Sequence, residues 1–504
     1  MLRCQRNLNK TTMTTVHHNL RIQPYPYQMD GIRFGLEKRR IFIGDEPGLG
    51  KTLQSIGIID TANAYPCLVI CPSSLKINWQ REFERFTDKK AIVLDNNTRT
   101  TWPYLLQMKM HHVAIVNYES LRKFFVWDIK GGSPFRLKDV VFCPQIKMFK
   151  SIIIDESHRV KDPSAQQTIF TKGIATGKDW IILLSGTPVV NRPEDLVSQL
   201  SIMNRLNDFG GKSQFLARYG TPEKGSVCGD AFATNLDELS KHLYSSCLIR
   251  REKAKVLTEL PDKTRCDLYV DISNREEYNL AVENLAEYLR QYKECSDAEI
   301  RRKMRMEALV QFMTLRSLAA MGKVAQAIDF ARNFLASGKQ LIMFCSYHDI
   351  VDALCKAFPT AVRVTGRDSL AAKQAAVDNF QNGNSQLIIC SIKAAGVGLT
   401  LTASSNVAFV EFPWTYADCC QCEDRAHRIG QKDNVTCYYL IGRGTIDHAL
   451  YNIIQQKKSV ANQIMASDDE IPTSEAYFDE LVNSLFQDSP VCGVANATSI
   501  NPKL

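Results

Sequence analysis

Residues 45–52 (DEPGLGKT) have the types and spacing of a loop that binds phosphate groups. Gly48 and Gly50 would let backbone N–H groups close around phosphate oxygens at the beginning of a helix. Lys51 would place a positive charge on the β- and γ-phosphates of a nucleotide, and Thr52 would give its hydroxyl to Mg²⁺. The strict pattern has glycine six residues before the lysine, where this chain has aspartate. Because an apolar run precedes the loop and a helix-compatible stretch follows it, the sequence predicts a nucleotide site.

Two adjacent acids follow the apolar run at 151–154. The end of a strand is where a doubly wound sheet presents catalytic groups. Asp155 could hold Mg²⁺ through its water shell, and Glu156 could orient and deprotonate an attacking water. Adjacent acids can also form a solvated turn, but the apolar strand directly before them favours the catalytic interpretation. His158 could couple this site to another part of the chain, or it could cap a loop.

A pair of arginines late in the chain has the charge that the transition state of phosphoryl transfer requires. Arg425 and Arg428 lie three residues apart in QCEDRAHRIGQ at 421–431, so a helix would place them on one face. They lie far along the chain from Lys51, and arginines from a second lobe would complete the site only when the lobes close. Taken alone, the pair could equally form a surface salt-bridge network with the acids that precede it.

Short apolar runs separated by helix-length stretches must position these groups. Such runs are typical of buried parallel strands, and their alternation with helices predicts two α/β lobes in tandem. The runs of the first lobe are 40–44, 67–71, 113–116, 152–154 and 180–184, and those of the second are 341–345, 361–364, 387–390, 407–410 and 436–441. Between the two sets, charged and apolar residues alternate at helical spacing, which predicts long helices at 276–293 and 298–318.

The composition of the 504 residues, with 45% hydrophobic and 23% charged residues, is typical of a globular protein. No apolar run approaches the roughly 18 residues of a membrane span. The net charge of +8 permits a polyanionic partner without requiring one. The acid-poor first residues could be a transit peptide or a loose tail, and we favour the tail.

The 16 cysteines are too dilute for a disulfide scaffold, and several lie inside apolar runs. We therefore expect an intracellular, reducing compartment, with nuclear, bacterial and viral settings all open. Cys419 and Cys422 form one CxxC pair, which we interpret as packed and reduced rather than as a metal site, since no second pair follows at zinc-ribbon spacing.

Together these motifs resemble the helicase superfamily-two motors of the Swi/Snf (sucrose-nonfermenting) ATPase family, in order from about residue 25 to 458. Gln28 in YQMDG resembles the adenine-reading glutamine of that family. Its phosphate loop has the form DExGLGKT, so Asp45 at the first position matches. Four further segments resemble motifs of the family's first lobe: CPSSL at 71–75, NYESL at 117–121, DESH at 155–158 and LSGTP at 184–188.

In the second lobe, SIKAAGVGLTL at 391–401, which contains Gly396, and QCEDRAHRIGQ at 421–431 resemble the family's motifs V and VI. The wording of the motifs is closest to the HARP-like annealing-helicase subgroup. The resemblance implies an α/β fold of two tandem RecA-like (P-loop) lobes with helical insertions between them. We expect a flexible tail at 1–20, an ATP-binding lobe at 21–248, a brace and helical linker at 249–335, a C-terminal lobe at 336–480 and a tail at 481–504.

The resemblance also implies a monomeric motor that hydrolyses ATP with Mg²⁺ and translocates along double-stranded or forked DNA. Its catalytic residues would be Lys51, Glu156, Arg425 and Arg428, with Thr52 and Asp155 for the metal. The nucleotide would also contact Gln28, Asp45, Gly48, Gly50 and Gly396. Polar and basic groups at strand ends suit contacts to the sugar-phosphate backbone. The candidates for such contacts are Ser73, Lys76, Asn117, Thr187, Ser346, Lys393 and Thr400.

Fork remodelling, strand annealing or DNA repair is the setting that the motifs favour. The alternative is a motor that displaces a protein such as RNA polymerase or nucleosomes from DNA. A hydrolysis-dead scaffold that only binds DNA is a third hypothesis. The intact Lys51, Glu156, Arg425 and Arg428 count against that hypothesis.

Overall fold

A computed structural model describes residues 20–452, apart from 133, 187–192, 221–228, 258, 295–297, 396–398 and 414–415. The first lobe is built on a parallel sheet, and a small antiparallel pair of strands lies beside it. The strands are β1 (Arg40–Ile43), β2 (Cys67–Cys71), β3 (Ala91–Val93), β4 (Val113–Asn117), β5 (Val126–Ile129), β6 (Val140–Phe142), β7 (Ser151–Asp155), β8 (Trp180–Leu184) and β9 (Leu248–Ile249). The order in the sheet is β3-β4-β2-β7-β8-β1-β9, and β5 pairs with β6.

Helices connect these strands and cover both faces of the sheet. They are α1 (Pro26–Lys38), α2 (Lys51–Thr61), α3 (Lys76–Phe86), α4 (Trp102–Gln107), α5 (Leu121–Phe125), α6 (Gln166–Ala175), α7 (Asp195–Ile202), α8 (Gly211–Tyr219), α9 (Gly229–Ser246) and α10 (Lys253–Val256).

The second lobe is another parallel sheet, in the order β10-β15-β14-β11-β13-β12. Its strands are β10 (Lys263–Val270), β11 (Leu341–Cys345), β12 (Val362–Val364), β13 (Leu387–Ser391), β14 (Asn406–Phe409) and β15 (Val435–Gly442). Its helices are α11 (Arg275–Glu294), α12 (Ala298–Gly322), α13 (Val324–Ala336), α14 (His348–Ala357), α15 (Leu370–Gln381), α16 (Ile392–Ala395) and α17 (Tyr416–Glu423).

Each sheet is buried on both faces, which is why its strands are apolar runs rather than alternating ones. In β7, Ile152 and Ile154 enter one hydrophobic cluster, while Ile153 enters the cluster on the opposite face. In β11, Ile342 and Phe344 enter one cluster, and the residues that alternate with them, Leu341, Met343 and Cys345, enter the cluster on the opposite face. The twofold period of a strand therefore builds two cores for each sheet.

The predicted fold class is confirmed. All ten predicted apolar runs are strands, and their ends match the prediction or differ from it by one residue. The two long helices predicted at 276–293 and 298–318 are α11 and α12, and they pack on the second lobe through Tyr278, Phe312 and Ile446.

The sequence did not predict β10. This strand lies within the expected brace, yet it pairs in parallel with β15 over eight residues and forms the edge of the second sheet. No helix in the described part of the chain combines the length and apolar character that crossing a bilayer requires.

Candidate nucleotide site between the two lobes

The phosphate loop connects β1 to α2, and its backbone geometry depends on glycine. Gly48 and Gly50 have φ values of 90° and 75°, a region that residues with a Cβ rarely adopt. A Cβ at Gly50 would lie only 2.4 Å from Nε2 of Gln28. The loop therefore brings its backbone N–H groups to the first turn of α2, where an anion is favoured.

Lys51 begins α2, and its ammonium is held inside the loop. Its Nζ donates to the backbone carbonyls of Asp45 at 2.7 Å and Glu46 at 3.3 Å. Burial lowers the pKa of Lys51, and the nearby Glu156, Asp45 and Asp155 oppose that shift. A buried cation coordinated by carbonyl oxygens is ready to exchange those weak partners for phosphate oxygens.

The side chain of Asp45 has a different environment from the rest of the loop. It is fully buried and forms an ion pair with Arg251, with Nη2 at 2.6 Å and Nε at 2.9 Å. Gln54 donates to the same carboxylate at 2.9 Å. Asp45 thus ties the phosphate loop to the chain that follows β9, while its own backbone carbonyl holds Lys51.

Gln28 packs against the loop from α1. Its Oε1 accepts from the backbone N–H of Tyr25 at 2.9 Å, and its Nε2 donates to the carbonyl of Leu49 at 3.1 Å. The Tyr25 and Tyr27 rings stack at 5.9 Å on the same turn. The structure therefore places the predicted adenine-reading amide directly beside the phosphate loop.

Asp155 lies at the end of β7 and is oriented by two aromatic residues. The indole N–H of Trp79 donates to Oδ2 of Asp155 at 2.8 Å, and the hydroxyl of Tyr118 donates to its backbone carbonyl at 2.6 Å. Burial, followed by the charge of Glu156, raises the pKa of Asp155 to about 7. A carboxylate in such a setting gains strongly from a bound cation.

Glu156 follows in a left-handed conformation, with φ 52° and ψ 52°. For a residue with a side chain this conformation is strained, and such strain concentrates at functional sites. Nδ1 of His158 lies 3.4 Å from Oε2 of Glu156 and 3.3 Å from Oγ of Ser185, so it joins the ends of β7 and β8. Burial lowers the pKa of His158, which favours the neutral imidazole.

Arg425 and Arg428 reach this cleft from the second lobe. They donate to the carbonyl of Leu399 at 3.4 and 3.5 Å, and Arg428 also donates to Oγ1 of Thr400 at 3.0 Å. Burial lowers the pKa of Arg425, and the carboxylate of Glu156 in the first lobe opposes that shift. The structure thus brings the predicted arginines and the predicted acids to one cleft.

Arg428 faces α3 of the first lobe. Burial raises the pKa of Glu82, and Arg428 is the largest influence in the opposite direction. A second link across the cleft is the exposed ion pair between Arg81 and Asp378, at 3.3 Å. The charges of Glu82 and Arg428 and the ion pair of Arg81 with Asp378 therefore lie where the two described lobes meet.

These residues fit a magnesium nucleotide. The loop geometry, the buried ammonium of Lys51 and the half-buried carboxylate of Asp155 are the donors and acceptors that phosphates and Mg²⁺ require. Thr52 lies in the first turn of α2, next to Lys51. Cys419 and Cys422 are buried free cysteines in α17, and no cluster of metal-binding side chains occurs among the residues that the structure describes.

Of the predicted DNA contacts among the described residues, four lie at or just after the ends of strands, namely Ser73, Asn117, Ser346 and Lys393. Lys76 begins α3, and Thr400 lies in the connection between β13 and β14. Ser73 and Lys393 are exposed, whereas Lys76 is buried. Ser74 and Thr400 line a pocket shared by the two lobes. Two other candidates, Asn117 and Ser346, have local partners.

The amide of Asn117 donates to Glu119 at 2.8 Å, and the hydroxyl of Ser346 accepts from Arg316 at 3.4 Å. Thr187 and Gly396 lie outside the described residues.

Several residues of the cleft were not assigned a role by the sequence analysis. They are Trp79, which donates to Asp155, Arg251, which pairs with Asp45, and Lys253, which pairs with Asp424. The fourth is Glu82, whose pKa the charge of Arg428 lowers against the effect of burial. In the sequence, Trp79 and Glu82 belong to the resemblance to the family's motif Ia, and Arg251 and Lys253 to the resemblance to its basic brace, but neither resemblance identified a partner.

A two-lobed α/β fold with a phosphate loop, an acidic strand end and arginines from the second lobe defines a helicase-type P-loop protein. A model of the SNF2-related domain matches residues 2–320, and a model of the helicase conserved C-terminal domain matches residues 323–430. The chain therefore belongs to the SNF2-related, or Swi/Snf, family, as the motifs predicted.

Similar proteins carry related names. A Caenorhabditis elegans protein named SWI/SNF-related matrix-associated actin-dependent regulator of chromatin subfamily A-like protein 1 homolog is 30% identical over 95% of this chain and 66% of its own length. The human DNA annealing helicase and endonuclease ZRANB3 is 29% identical over 92% of this chain and 42% of its own length. The chain thus spans less than two thirds of the relatives it matches.

Among solved structures, the chain is similar to one described as the Sulfolobus solfataricus SWI2/SNF2 ATPase core in complex with dsDNA. It is 22% identical and covers 94% of this chain and 98% of its own length, with a TM-score of 0.41. At that TM-score the likeness says nothing by itself about what this chain binds.

Proposed function

We propose that this chain is an ATP-dependent double-stranded DNA translocase that hydrolyses ATP to ADP and phosphate. The observation that carries the proposal is that the second-lobe turn at 424–428 packs on the phosphate loop, where a Cβ at Gly48 would lie 3.6 Å from the carbonyl oxygen of His427. The charge of Glu156 in the first lobe acts on Arg425 of that turn. A site that needs both lobes couples hydrolysis to their relative movement. The names of the annealing-helicase relatives support the same class of activity.

Each residue has a role that follows from its position. The loop and Lys51 bind the phosphates, Gln28 lies where it can orient the base, and Thr52 and Asp155 would hold Mg²⁺. When bound, the metal neutralises charge on the β- and γ-phosphates. Glu156 takes the proton of the attacking water, while Arg425 and Arg428 stabilise the charge that develops on the transferred phosphoryl group.

DNA would lie along the strand ends of both lobes. Ser73, Lys76, Asn117 and Thr187 in the first lobe and Ser346, Lys393 and Thr400 in the second are the proposed contacts to its backbone. Binding through phosphate contacts weakens as salt rises, because bound counterions are released. The proposed division of the chain into tails, lobes and brace stays a prediction.

The decisive experiment measures ATP hydrolysis with duplex, single-stranded, forked and nucleosomal DNA, beside Glu156→Gln. We expect duplex or forked DNA to stimulate the wild type, and Glu156→Gln to lose about 100-fold or more of kcat because it lacks the base. Glu37→Gln, which changes an exposed carboxylate on α1, serves as the matched control. No stimulation by any DNA would refute the translocase, and equal rates for wild type and Glu156→Gln would refute the assigned base.

The DNA that stimulates best distinguishes the biological settings. Preference for forked DNA supports fork remodelling or annealing, whereas preference for nucleosomes supports displacement of a protein. Lys51→Ala tests the phosphate site separately, because it removes the positively charged group that would contact the phosphates. Measured nucleotide affinity equal to that of the wild type would contradict the assigned site.

A further inference from the structure

The chain that leaves β9 stays attached to the first lobe at the phosphate loop. Arg250 donates to the carbonyls of Gly44 and Gly186, both at 3.1 Å. Arg251 pairs with Asp45, as described above. The backbone N–H of Lys253 then donates to Oε2 of Glu46 at 2.7 Å. Three successive contacts thus fasten this segment along the loop.

The side chain of Lys253 points in the other direction, into the second lobe. Its Nζ lies 2.6 Å from Oδ1 of Asp424 and donates to the carbonyl of His427 at 3.0 Å. The two side chains of the ion pair are 11% and 6% exposed, so solvent screens the pair little. Its second-lobe partners, Asp424 and His427, come directly before Arg425 and Arg428 in the sequence.

The stem of Lys253 also packs against the phosphate loop. A Cβ at Gly48 would lie 3.1 Å from Cε of Lys253, 3.3 Å from its Nζ and 3.6 Å from the carbonyl oxygen of His427. Lys253 is therefore enclosed between the loop that would bind phosphate and the turn that carries the arginines. A shift of either one displaces its side chain.

We propose that Lys253 is a positioning residue that transmits movement of the phosphate loop to the turn carrying Arg425 and Arg428. This inference rests on the proposed function, because it assigns a route by which nucleotide binding in the first lobe is sensed in the second. Lys253 acts through the arginines and does not itself contact the reacting atoms.

Neutralising Asp424 does not by itself require Lys253. Lys263 lies 3.3 Å from the same carboxylate and 2.8 Å from Glu423. Among the described residues, Lys263 forms no hydrogen bond or ion pair with the phosphate loop. The two lysines therefore share a partner, and only Lys253 joins that partner to the loop, which makes Lys263→Met a matched control.

The test combines kinetics with hydrogen exchange on the full chain. In Lys253→Met, which keeps the apolar stem, we expect kcat for DNA-stimulated hydrolysis to fall about 10- to 100-fold, because the arginines are misplaced. Affinity for Mg²⁺ and AMP-PNP should stay within about threefold, because the phosphate contacts are retained. Lys263→Met should lose less of kcat than Lys253→Met.

Hydrogen exchange separates positioning from simple support of the fold. In the wild type, adding Mg²⁺ and AMP-PNP should change amide exchange both in the loop at 45–52 and in the turn at 424–428. In Lys253→Met the change should persist in the loop and disappear from the turn. Glu46→Gln, which weakens the same link from the loop side, should show a smaller effect of the same kind and serves if Lys253→Met fails to fold.

Retention by Lys253→Met of both kcat and the exchange response of the turn would overturn the proposal. So would equal losses in Lys253→Met and Lys263→Met, because neutralisation of Asp424 would then explain both. A wild type that no DNA stimulates refutes the proposed function instead, and the exchange response to AMP-PNP still decides the role of Lys253.

Discussion

The buried carboxylate of Glu411 should make the stability of the second lobe fall as pH rises. Glu411 follows β14 and is 2% exposed. The backbone N–H of Ser346 donates to its carboxylate, and Lys323 and Arg316 are nearby cations. Burial outweighs these three influences and raises the pKa of Glu411 from 4.5 to about 7.

The direction of this pH effect on stability depends on whether the folded or the unfolded chain holds the proton of Glu411 more tightly. Between pH 4.5 and about 7, folded Glu411 keeps a proton that the unfolded chain has lost. Unfolding then releases a proton, so rising pH favours the unfolded state through this window and has no further effect above it. Raising the pKa from 4.5 to about 7 lowers the free energy of unfolding at high pH by at most about 3 kcal/mol.

Glu411→Gln removes this penalty, because the amide is neutral at every pH and its oxygen still accepts from Ser346. The variant should match the wild type near pH 5 and be more stable near pH 8 by up to about 3 kcal/mol, or several degrees in Tm. Calorimetry at both pH values measures the difference, with Glu276→Gln on the exposed surface of α11 as the control. The same stability difference at pH 5 and pH 8 would refute the reasoning.

Three further predictions concern the cleft. Arg251→Met leaves the buried carboxylate of Asp45 without its ion-pair partner, so the free energy of unfolding in urea should fall by about 3 kcal/mol. A decrease under about 1 kcal/mol would contradict the assigned ion pair. Trp79→Phe removes the N–H that orients Asp155. The variant's affinity for ADP with Mg²⁺ should fall about 10-fold or more, whereas its affinity for ADP in EDTA should stay the same. Calorimetric titration measures both affinities. An equal loss of affinity with and without Mg²⁺ would contradict a role of Trp79 at the metal. Arg81→Ala breaks an ion pair whose partners are about half exposed, so Tm should barely change, and a loss above about 1 kcal/mol would show that the pair matters more than exposed pairs do.

The fold was predictable where burial on both faces leaves a continuous apolar run. That is the case for β7 and β11, whose residues are almost entirely buried. It is not the case for β10, whose sequence KTRCDLYV alternates between exposed and half-buried positions at a sheet edge. Its pairing with β15 depends on where the chain goes after the first lobe, and no local pattern carries that information.

The predicted site residues came from motifs whose members lie close together in the sequence, as Gly48, Gly50 and Lys51 do. Contacts between distant residues were beyond such reasoning. Trp79 and Asp155 are 76 residues apart, and Arg251 and Asp45 are 206 apart. These pairs form because the strand order places β7 beside β2, which leads into α3, and β9 beside β1.

The position of β10 has a mechanical consequence for the lobe movement proposed above. The chain passes from the attachment at Lys253 into β10 within ten residues, and β10 runs parallel to β15 for its full length. A pull that acts along β10 loads this ladder of hydrogen bonds together, in shear. A strand attached at right angles would open like a zipper, one bond at a time. The edge of the second sheet is therefore anchored to resist tension along β10.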